Sequence, residues 1–279
     1  MLGSFDDAED ALQETLLRAW RAGSEQIENP RAWLYKVATN ACLDAIKRKD
    51  RRSPEAGSIA DLEWLQPYPD ELLDTAVERE TIELTLLAVI QLLPPAQRAA
   101  LILREMLSWS AEETGELLEL SVPAVNSAVQ RAQATLRGQL PSEGRETWLS
   151  PEASPAEREV LQRFIEAHER GDTDTALALI ADDVRVTMPP NGLLFEGRDS
   201  VAPLIERAHS GEDGEWRLVP IAANRQPAAA SYLRPPGGAE FRAFKIDVLR
   251  LADGKIAEIT TFGASCFAAF GLPDLLNDR

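Results

Sequence analysis

Histidine and cysteine are scarce in this chain, with two of each among 279 residues, and the scarcity removes whole classes of function. Cys42, Cys266, His168 and His209 are scattered, so they cannot supply the grouped ligands of a metal site, and none is expected. Two distant cysteines predict no disulfide and suit a reducing, cytoplasmic setting. No stretch approaches 18 consecutive apolar residues, which excludes a membrane helix. The opening MLGSFDD lacks the basic and apolar regions of a secretory leader. No glycine-rich loop follows a predicted strand, so no nucleotide cofactor is expected. Positive charge is also in deficit: 29 Lys and Arg stand against 46 Asp and Glu, a formal net charge of −17. Such a balance opposes general affinity for nucleic acid unless the cations are concentrated in one place.

They are concentrated. Residues 31–52 hold seven basic and two acidic side chains, a local net of +5, ending in the cluster from Lys47 to Arg52. The patch either contacts phosphates or complements the C-terminal end of a helix dipole.

Hydrophobic periodicity divides the chain. Residues 6–22 read as a helix capped by Asp6 or Asp7, with an apolar stripe of Ala8, Ala11, Leu12, Thr15, Leu16 and Ala19. Asn29 and Pro30 begin a second helix that runs to the basic cluster. Residues 53–74 are a linker with embedded apolar residues, among them Leu65 and Tyr68, so part of it is expected to pack on a neighbouring surface. Helices follow over 78–93, 97–106 and 110–118, the last opened by a capping box of Ser110 and Glu113. A longer helix from Ser121 to about Leu140 completes a helix-turn-helix pattern. After a linker at 141–155 come helices at 156–169 and 173–180, and the period then changes to two. Strands are predicted over 184–188, 216–223, 228–233, 240–251 and 255–262, with residues 193–198 leading from a turn into a helix over 201–207. Asp253-Gly254 is the expected hairpin turn between the last two strands.

These segments resemble known families. DDAEDALQETLLRAW (6–20), NPRAWLYKVATNACLDAIKR (29–48), LPPAQRAALILR (93–104) and SVPAVNSAVQRA (121–132) are similar, in order and spacing, to sigma factors of the extracytoplasmic-function type. The resemblance implies that the first segment binds core RNA polymerase, through Asp7, Asp10, Gln13, Glu14, Arg18 and Trp20. It implies that the second melts and reads the −10 promoter element, with Lys36, Lys47, Arg48, Arg51 and Arg52 on the backbone and Trp33 and Tyr35 as stacking surfaces or core. The last implies −35 recognition by Ser121, Asn126, Ser127, Gln130 and Arg131 on the second helix of the motif. Members of the family carry a further helical stretch before the acidic helix, so residues 1–52 are expected to form a shortened version of that domain.

Residues 156–279 resemble the SnoaL-like branch of the NTF2-like superfamily, on GDTDTAL (171–177), VRVTMPP (184–190), FEGR (195–198), FRAFKIDVLR (241–250) and GKIAEITTF (254–262). The expected architecture is therefore all-α sigma modules at 1–52 and 75–140, joined to an α+β cone of helices on a curved antiparallel sheet. The cone implies a pocket, with His168, Met188, Trp216, Arg242, Phe244, Asp247 and Phe262 as candidates and a small molecule as a possible occupant. Catalysis would need a set drawn from His168, Asp182, Arg242, Asp247 and Glu258; no nucleophile–base arrangement is visible, and none is expected. The reading is a sigma factor restrained in cis by its C-terminal domain, whose acidic surface can hold the Lys47–Arg52 patch. The alternatives are a pocket-bearing enzyme or sensor on a vestigial sigma scaffold, and a protein that sequesters polymerase or another sigma factor.

Overall fold

The computed structural model describes residues 1–22, 29–48, 65–70, 90–139, 154–189 and 193–276. It divides into two compact units, one of residues 1–58 and 85–143, the other of 59–84 and 144–279.

The first unit is helical. Helix α1 (Phe5–Ala22) is capped by Ser4, whose hydroxyl accepts from the Asp7 amide at 3.3 Å, rather than by the aspartates. Only one narrow side is buried: Asp7, Ala11 and Thr15, four residues apart. Leu12 and Leu16, placed by periodicity in the core stripe, are each 56% exposed. Helix α2 (Pro30–Arg48) starts as expected, with Asn29 Oδ1 accepting from the Ala32 amide at 3.1 Å and proline at the first helical position. The two helices pack through Leu2, Ala11, Ala41 and Ile46, with Cys42 beside them; burial pushes the Cys42 thiol pKa up.

Of the helix expected over 78–93, only the end falls among the described residues, and Ile90 and Leu93 are buried there. Helix α3 (Pro95–Leu101) passes into a π-helical turn (Ile102–Met106), where the Leu107 amide reaches back to the Ile102 carbonyl at 3.0 Å. Arg98 on α3 is 2% exposed, and its guanidinium donates to the carbonyls of Met1, Gln91 and Leu93 and to the Gln91 side chain. A buried cation is tolerable only with its donors met in this way. Helix α4 (Ala111–Leu118) carries the predicted capping box, both bonds formed. Its end turns through Glu119 at φ 57° and leads into α5 (Val122–Gln139), where Ser121 Oγ accepts from the Ala124 amide. Gly115 is required by the tight turn, because a Cβ there would sit 2.6 Å from the Leu120 carbonyl oxygen. Ala128, Val129 and Ala132 face inward against Leu93, Ala100 and Leu101, and Val125 is buried as well.

The second unit is α+β. Helix α6 (Pro155–Arg170) has a capping box from Ser154 and Glu157 and stops at Gly171, φ 65°. Helix α7 (Thr173–Leu179) is capped by Asp172, and α8 (Arg198–His209) follows later in the chain. The strands are β1 (Ile180–Met188), β2 (Leu193–Glu196), β3 (Glu215–Ala223), β4 (Gln226–Arg234), β5 (Phe241–Ala252), β6 (Lys255–Gly263) and β7 (Leu275–Leu276). Their order is β2-β1-β6-β5-β4-β3, with β7 on the start of β5. Two expectations need correction. Residues 193–196 form a strand rather than a turn, and β1 runs parallel to β6, so the sheet is mixed rather than antiparallel throughout. Phe164 and Ile165 of α6, Val201 and Ile205 of α8 and Val184, Leu249 and Ile259 of the sheet share one core. The register skips Phe244 opposite Ser231–Tyr232 and Ala257 opposite Arg250–Leu251, which marks bulges in β5 and β6, the places where a strand bends most.

The described part of the first linker belongs to this unit. Leu65, Pro67 and Pro69 are buried alternately with less buried Gln66, Tyr68 and Asp70. The segment lies along the β3–β4 turn, pairing Pro69 with Ala223 in an antiparallel bridge.

Candidate functional sites

In the helical unit the candidate residues divide by exposure. Asn126, Gln130 and Arg131 lie exposed on α5, with Ser121 exposed at its start and Ser127 half-buried beside them. The spacing 126, 127, 130, 131 puts these side chains on one face, opposite the buried Val125, Ala128, Val129 and Ala132. Helix dipole and free amides at the N-terminus add a positive end to that face. On α2, Lys36, Lys47 and Arg48 are exposed, while Trp33 and Tyr35 are half-buried. The Tyr35 ring meets Trp109 edge-on at 5.7 Å, and the Arg31 guanidinium lies 5.8 Å from its centroid. Arg51 and Arg52 fall outside the described residues. On α1, Asp10, Gln13 and Trp20 are exposed, Trp20 by 82%, and Glu14 and Arg18 pair at 2.8 Å. Asp7 is 5% exposed, so its side chain is withdrawn from the surface.

The C-terminal unit has a cavity of about 70 Å³ between α6, α8 and the sheet. Three of the seven pocket candidates line it: His168, Met188 and Asp247. Trp216 stands at its side, donating from Nε1 to the Ala208 carbonyl at 2.8 Å and meeting Phe244 edge-on at 5.3 Å. Arg242 does not line the cavity; it pairs with Glu240 at the surface. Phe262 is also absent from it, since side chains alternate along β6 and Thr261 takes the cavity face. Asp182 is 92% exposed and paired with Arg198, and Glu258 is buried against Arg250 at 3.1 Å.

The cavity's polar groups form a short chain. Asp247 is fully buried, its Oδ1 accepting from the Thr261 hydroxyl at 2.7 Å and its Oδ2 lying 2.8 Å from Lys245 Nζ. Strand register places Thr261 directly opposite Asp247 and puts Lys245 two residues back on the same face. His168 Nδ1 lies 2.9 Å from the Phe164 carbonyl, and the ring stacks on Phe164 at 4.1 Å. Burial, reinforced by Lys245, drives the His168 pKa down to about 3, so the ring is neutral. His209 packs edge-on against it at 4.9 Å and holds Thr173 through Nδ1; burial lowers its pKa too. Lys245 and Thr261 were not among the sequence candidates. The signal for Lys245 was a lysine two residues from an aspartate within the otherwise apolar stretch 243–249, a spacing that puts both on one face of the strand.

A third arrangement engages the linker. The Asn224 amide donates to the Tyr68 carbonyl at 2.9 Å, and Asn224 Oδ1 accepts from the Tyr68 amide at 2.9 Å. The Arg225 amide donates to Asp70 Oδ1 at 2.6 Å. Asn224 and Arg225 both have positive φ, 55° and 58°. Asparagine tolerates that region; for arginine it costs about 1–2 kcal/mol, which the bond to the Asp70 carboxylate helps to offset.

Among the described residues no group of three or more potential ligands could hold a metal, and no helix is long and apolar enough to cross a membrane.

Comparison with known proteins places these sites in context. Residues 1–52 match the model of sigma-70 region 2, 83–136 that of sigma-70 region 4, and 161–259 that of the SnoaL-like domain. The chain is 36% identical to the ECF RNA polymerase sigma factor SigG of Mycobacterium tuberculosis over 299 aligned positions, covering 99% of this chain and 80% of that one. It is 30% identical to SigJ of the same organism over 227 positions, covering 78% of this chain and 66% of the relative. The crystal structure of M. tuberculosis SigJ superposes with a TM-score of 0.67 at 25% identity, over 97% of this chain and 93% of that chain.

Proposed function

Because the chain belongs to the extracytoplasmic-function sigma factors and recognises promoter elements as one of them, we propose that its C-terminal domain restrains that activity by holding the linker between the two sigma regions. The observation that carries this reading is the grip of the β3–β4 turn on residues 68–70. Those residues lie between the two matched sigma segments, 1–52 and 83–136. A sigma factor must spread its −10 and −35 readers along DNA, so a linker fixed by one domain limits how they can be spread. Each of the three hydrogen bonds contributes about 1 kcal/mol net, and burial of Leu65, Pro67 and Pro69 adds to them. That sum is small enough for polymerase and promoter binding to overcome.

In this reading α5 enters the major groove at the −35 element through Asn126, Ser127, Gln130 and Arg131. Lys36, Lys47 and Arg48 follow the backbone near the −10 element, and Asp10, Gln13, Glu14, Arg18 and Trp20 meet core polymerase. The site of action is where the chromosome is transcribed, the cytoplasm. The bulged sheet shapes a cone whose cavity binds rather than catalyses.

Transcription in vitro with core polymerase over a promoter library tests the assignment. Specific start sites are expected. Changing Asn126 or Gln130 to Ala should relax selectivity at one or two −35 positions by about 1–3 kcal/mol each. Lys47→Ala should weaken all promoters alike and lower the salt slope by about one. Equal loss on every sequence with the α5 variants would overturn the base-reading role.

A further inference from the structure

We infer that the turn at residues 107–110 is a latch: it sets Trp109 against Tyr35, docks the −35-reading helices on the −10-reading helix, and must open before both engage a promoter. The inference rests on the chain being a sigma factor and not on how the linker is held.

The turn is built to aim one side chain. The helix that begins as α3 widens into the π-helical turn Ile102–Met106, and the Trp109 amide then donates to the Leu103 carbonyl at 3.0 Å. The Arg104 guanidinium donates to the Trp109 carbonyl. Between these two anchors the chain reverses through Ser108 at φ 55°, a conformation for which helix ends ordinarily use glycine. A π-turn followed by a serine in the left-handed region is strained backbone, and such strain concentrates where the conformation it holds is used. Both backbone polar groups of Trp109 are fixed in this way, and its indole meets the Tyr35 ring edge-on at 5.7 Å.

What the indole covers is a candidate base-stacking side chain of α2. With Trp109 against its ring and the Arg31 guanidinium 5.8 Å from its centroid, Tyr35 is half-buried. An unpaired base that stacks on Tyr35 must first displace Trp109.

The contact is separable. Leu2, Ala11, Ala41 and Ile46 form the core of the first two helices, and Leu93, Ala100, Leu101 and Val129 belong to that of the −35-reading helices. Each segment thus keeps a core of its own. Beside the two rings runs a groove of about 450 Å³, lined by Trp33 and Lys36 of α2 and by Leu107 and Glu116 across from them, so the two surfaces are not packed together along it. The Arg98 bond to the Met1 carbonyl joins the same segments elsewhere. Loss of the ring contact therefore loosens the closure without abolishing it.

Distance requires the opening. The −10 and −35 elements lie about 25 base pairs apart, roughly 85 Å of duplex at about 3.4 Å per pair. A helical module of about 50 residues has a radius of gyration of roughly 10 Å. Helices docked on each other through Tyr35 and Trp109 cannot reach both elements.

The chain has three tyrosines, Tyr35, Tyr68 and Tyr232. Full-length protein carrying 3-fluorotyrosine therefore gives three ¹⁹F signals, assigned by replacing each tyrosine in turn with phenylalanine. Trp109→Ala should shift the Tyr35 signal and leave those of Tyr68 and Tyr232 in place. It should also bind core RNA polymerase about three- to tenfold more tightly than the wild type, the range expected when one aromatic pair is removed from a competing closed form. Trp109→Phe, which keeps a ring beside Tyr35, should stay close to the wild type in both measurements. A Tyr35 signal that Trp109→Ala does not move, an unchanged or weaker affinity for core polymerase, or equal behaviour of the two variants would overturn the latch. A Tyr68 signal that moves together with that of Tyr35 would assign the gain to the linker and overturn it as well.

Discussion

The C-terminal unit carries, besides surface ion pairs, buried ones whose chemistry matches an exposed pair of the helical unit. In the helical unit Arg18 and Glu14 meet one helical turn apart, with side chains 42% and 44% exposed. In the C-terminal unit Arg250 meets Glu258 with exposures of 15% and 3%, and Lys245 meets Asp247 with 25% and 1%. Water weakens the first pair until it contributes little, and it leaves both side chains free to exchange partners. The interior pairs cannot be separated without stranding a charge, so they fix positions rather than await partners. Apolar residues follow the same division. α1 leaves Leu12, Leu16 and Trp20 in the open, whereas α6 buries Val160, Leu161, Phe164 and Ile165. The helical unit presents surface for macromolecules; the C-terminal unit builds an interior.

Substitutions can sharpen that contrast or break it. The largest effect is expected from Glu258→Ala, which strands Arg250 and should cost about 3–5 kcal/mol in denaturant unfolding. A cost near zero would place this pair with the surface ones. Next is acid sensitivity through His168. Its folded pKa of about 3 lies below the ordinary 6.5, so the unfolded chain binds a proton that the folded one refuses. Stability attributable to this group is intact above pH 6.5 and falls as pH drops from 6.5 toward 3. His168→Leu should reduce the slope of stability against pH in that window by up to one proton; an unchanged slope would show the histidine protonated in the fold.

In the helical unit, Ser110→Ala removes half of the capping box and should cost about 1 kcal/mol. The Ser110 amide and hydroxyl hold the Glu113 carboxyl below its ordinary pKa. Its support for α4 is therefore present above about pH 4.5 and lost as acid protonates it through the lower folded value. Circular dichroism of wild type and variant between pH 6 and 3 checks both statements. The smallest effect is expected from Glu14→Ala, about 0.5 kcal/mol or less. A drop comparable to that of Glu258→Ala would erase the distinction between the units.

Much of this architecture could be read from the sequence because it is local. The capping box at Ser110, the Asn29–Pro30 start, the Asp253-Gly254 turn and the paired spacing of α4 and α5 depend on neighbours within a few residues. What sequence reasoning missed depends on distant ones. Leu193–Glu196 is too short to show alternation and becomes a strand only through β1. The parallel partnership of β1 with β6 joins segments some 70 positions apart. Arg225 has no propensity for positive φ, and its turn exists with Asp70 bonded to it. In the cavity, Asp247 and His168 were visible as polar residues in apolar surroundings. Lys245 was legible only through its spacing of two from Asp247, and Thr261 needed the strand register to reveal it. Arg242 and Phe262 were placed by residue type; Phe262 is displaced by the alternation of its strand, and Arg242 pairs with Glu240 at the surface.

The central claim is that the C-terminal domain holds the linker, and one measurement bears on it most directly. Asn224→Gly keeps a residue that accepts the positive φ while deleting the Tyr68 acceptor, and Asp70→Ala deletes the acceptor for Arg225. The doubly substituted full-length chain and the wild type would be compared in single-round transcription with core polymerase on one cognate promoter, at fixed salt. The account predicts several-fold more initiation from the variant at limiting protein, with unchanged start site. Equal or reduced initiation from a folded variant would contradict restraint through the linker.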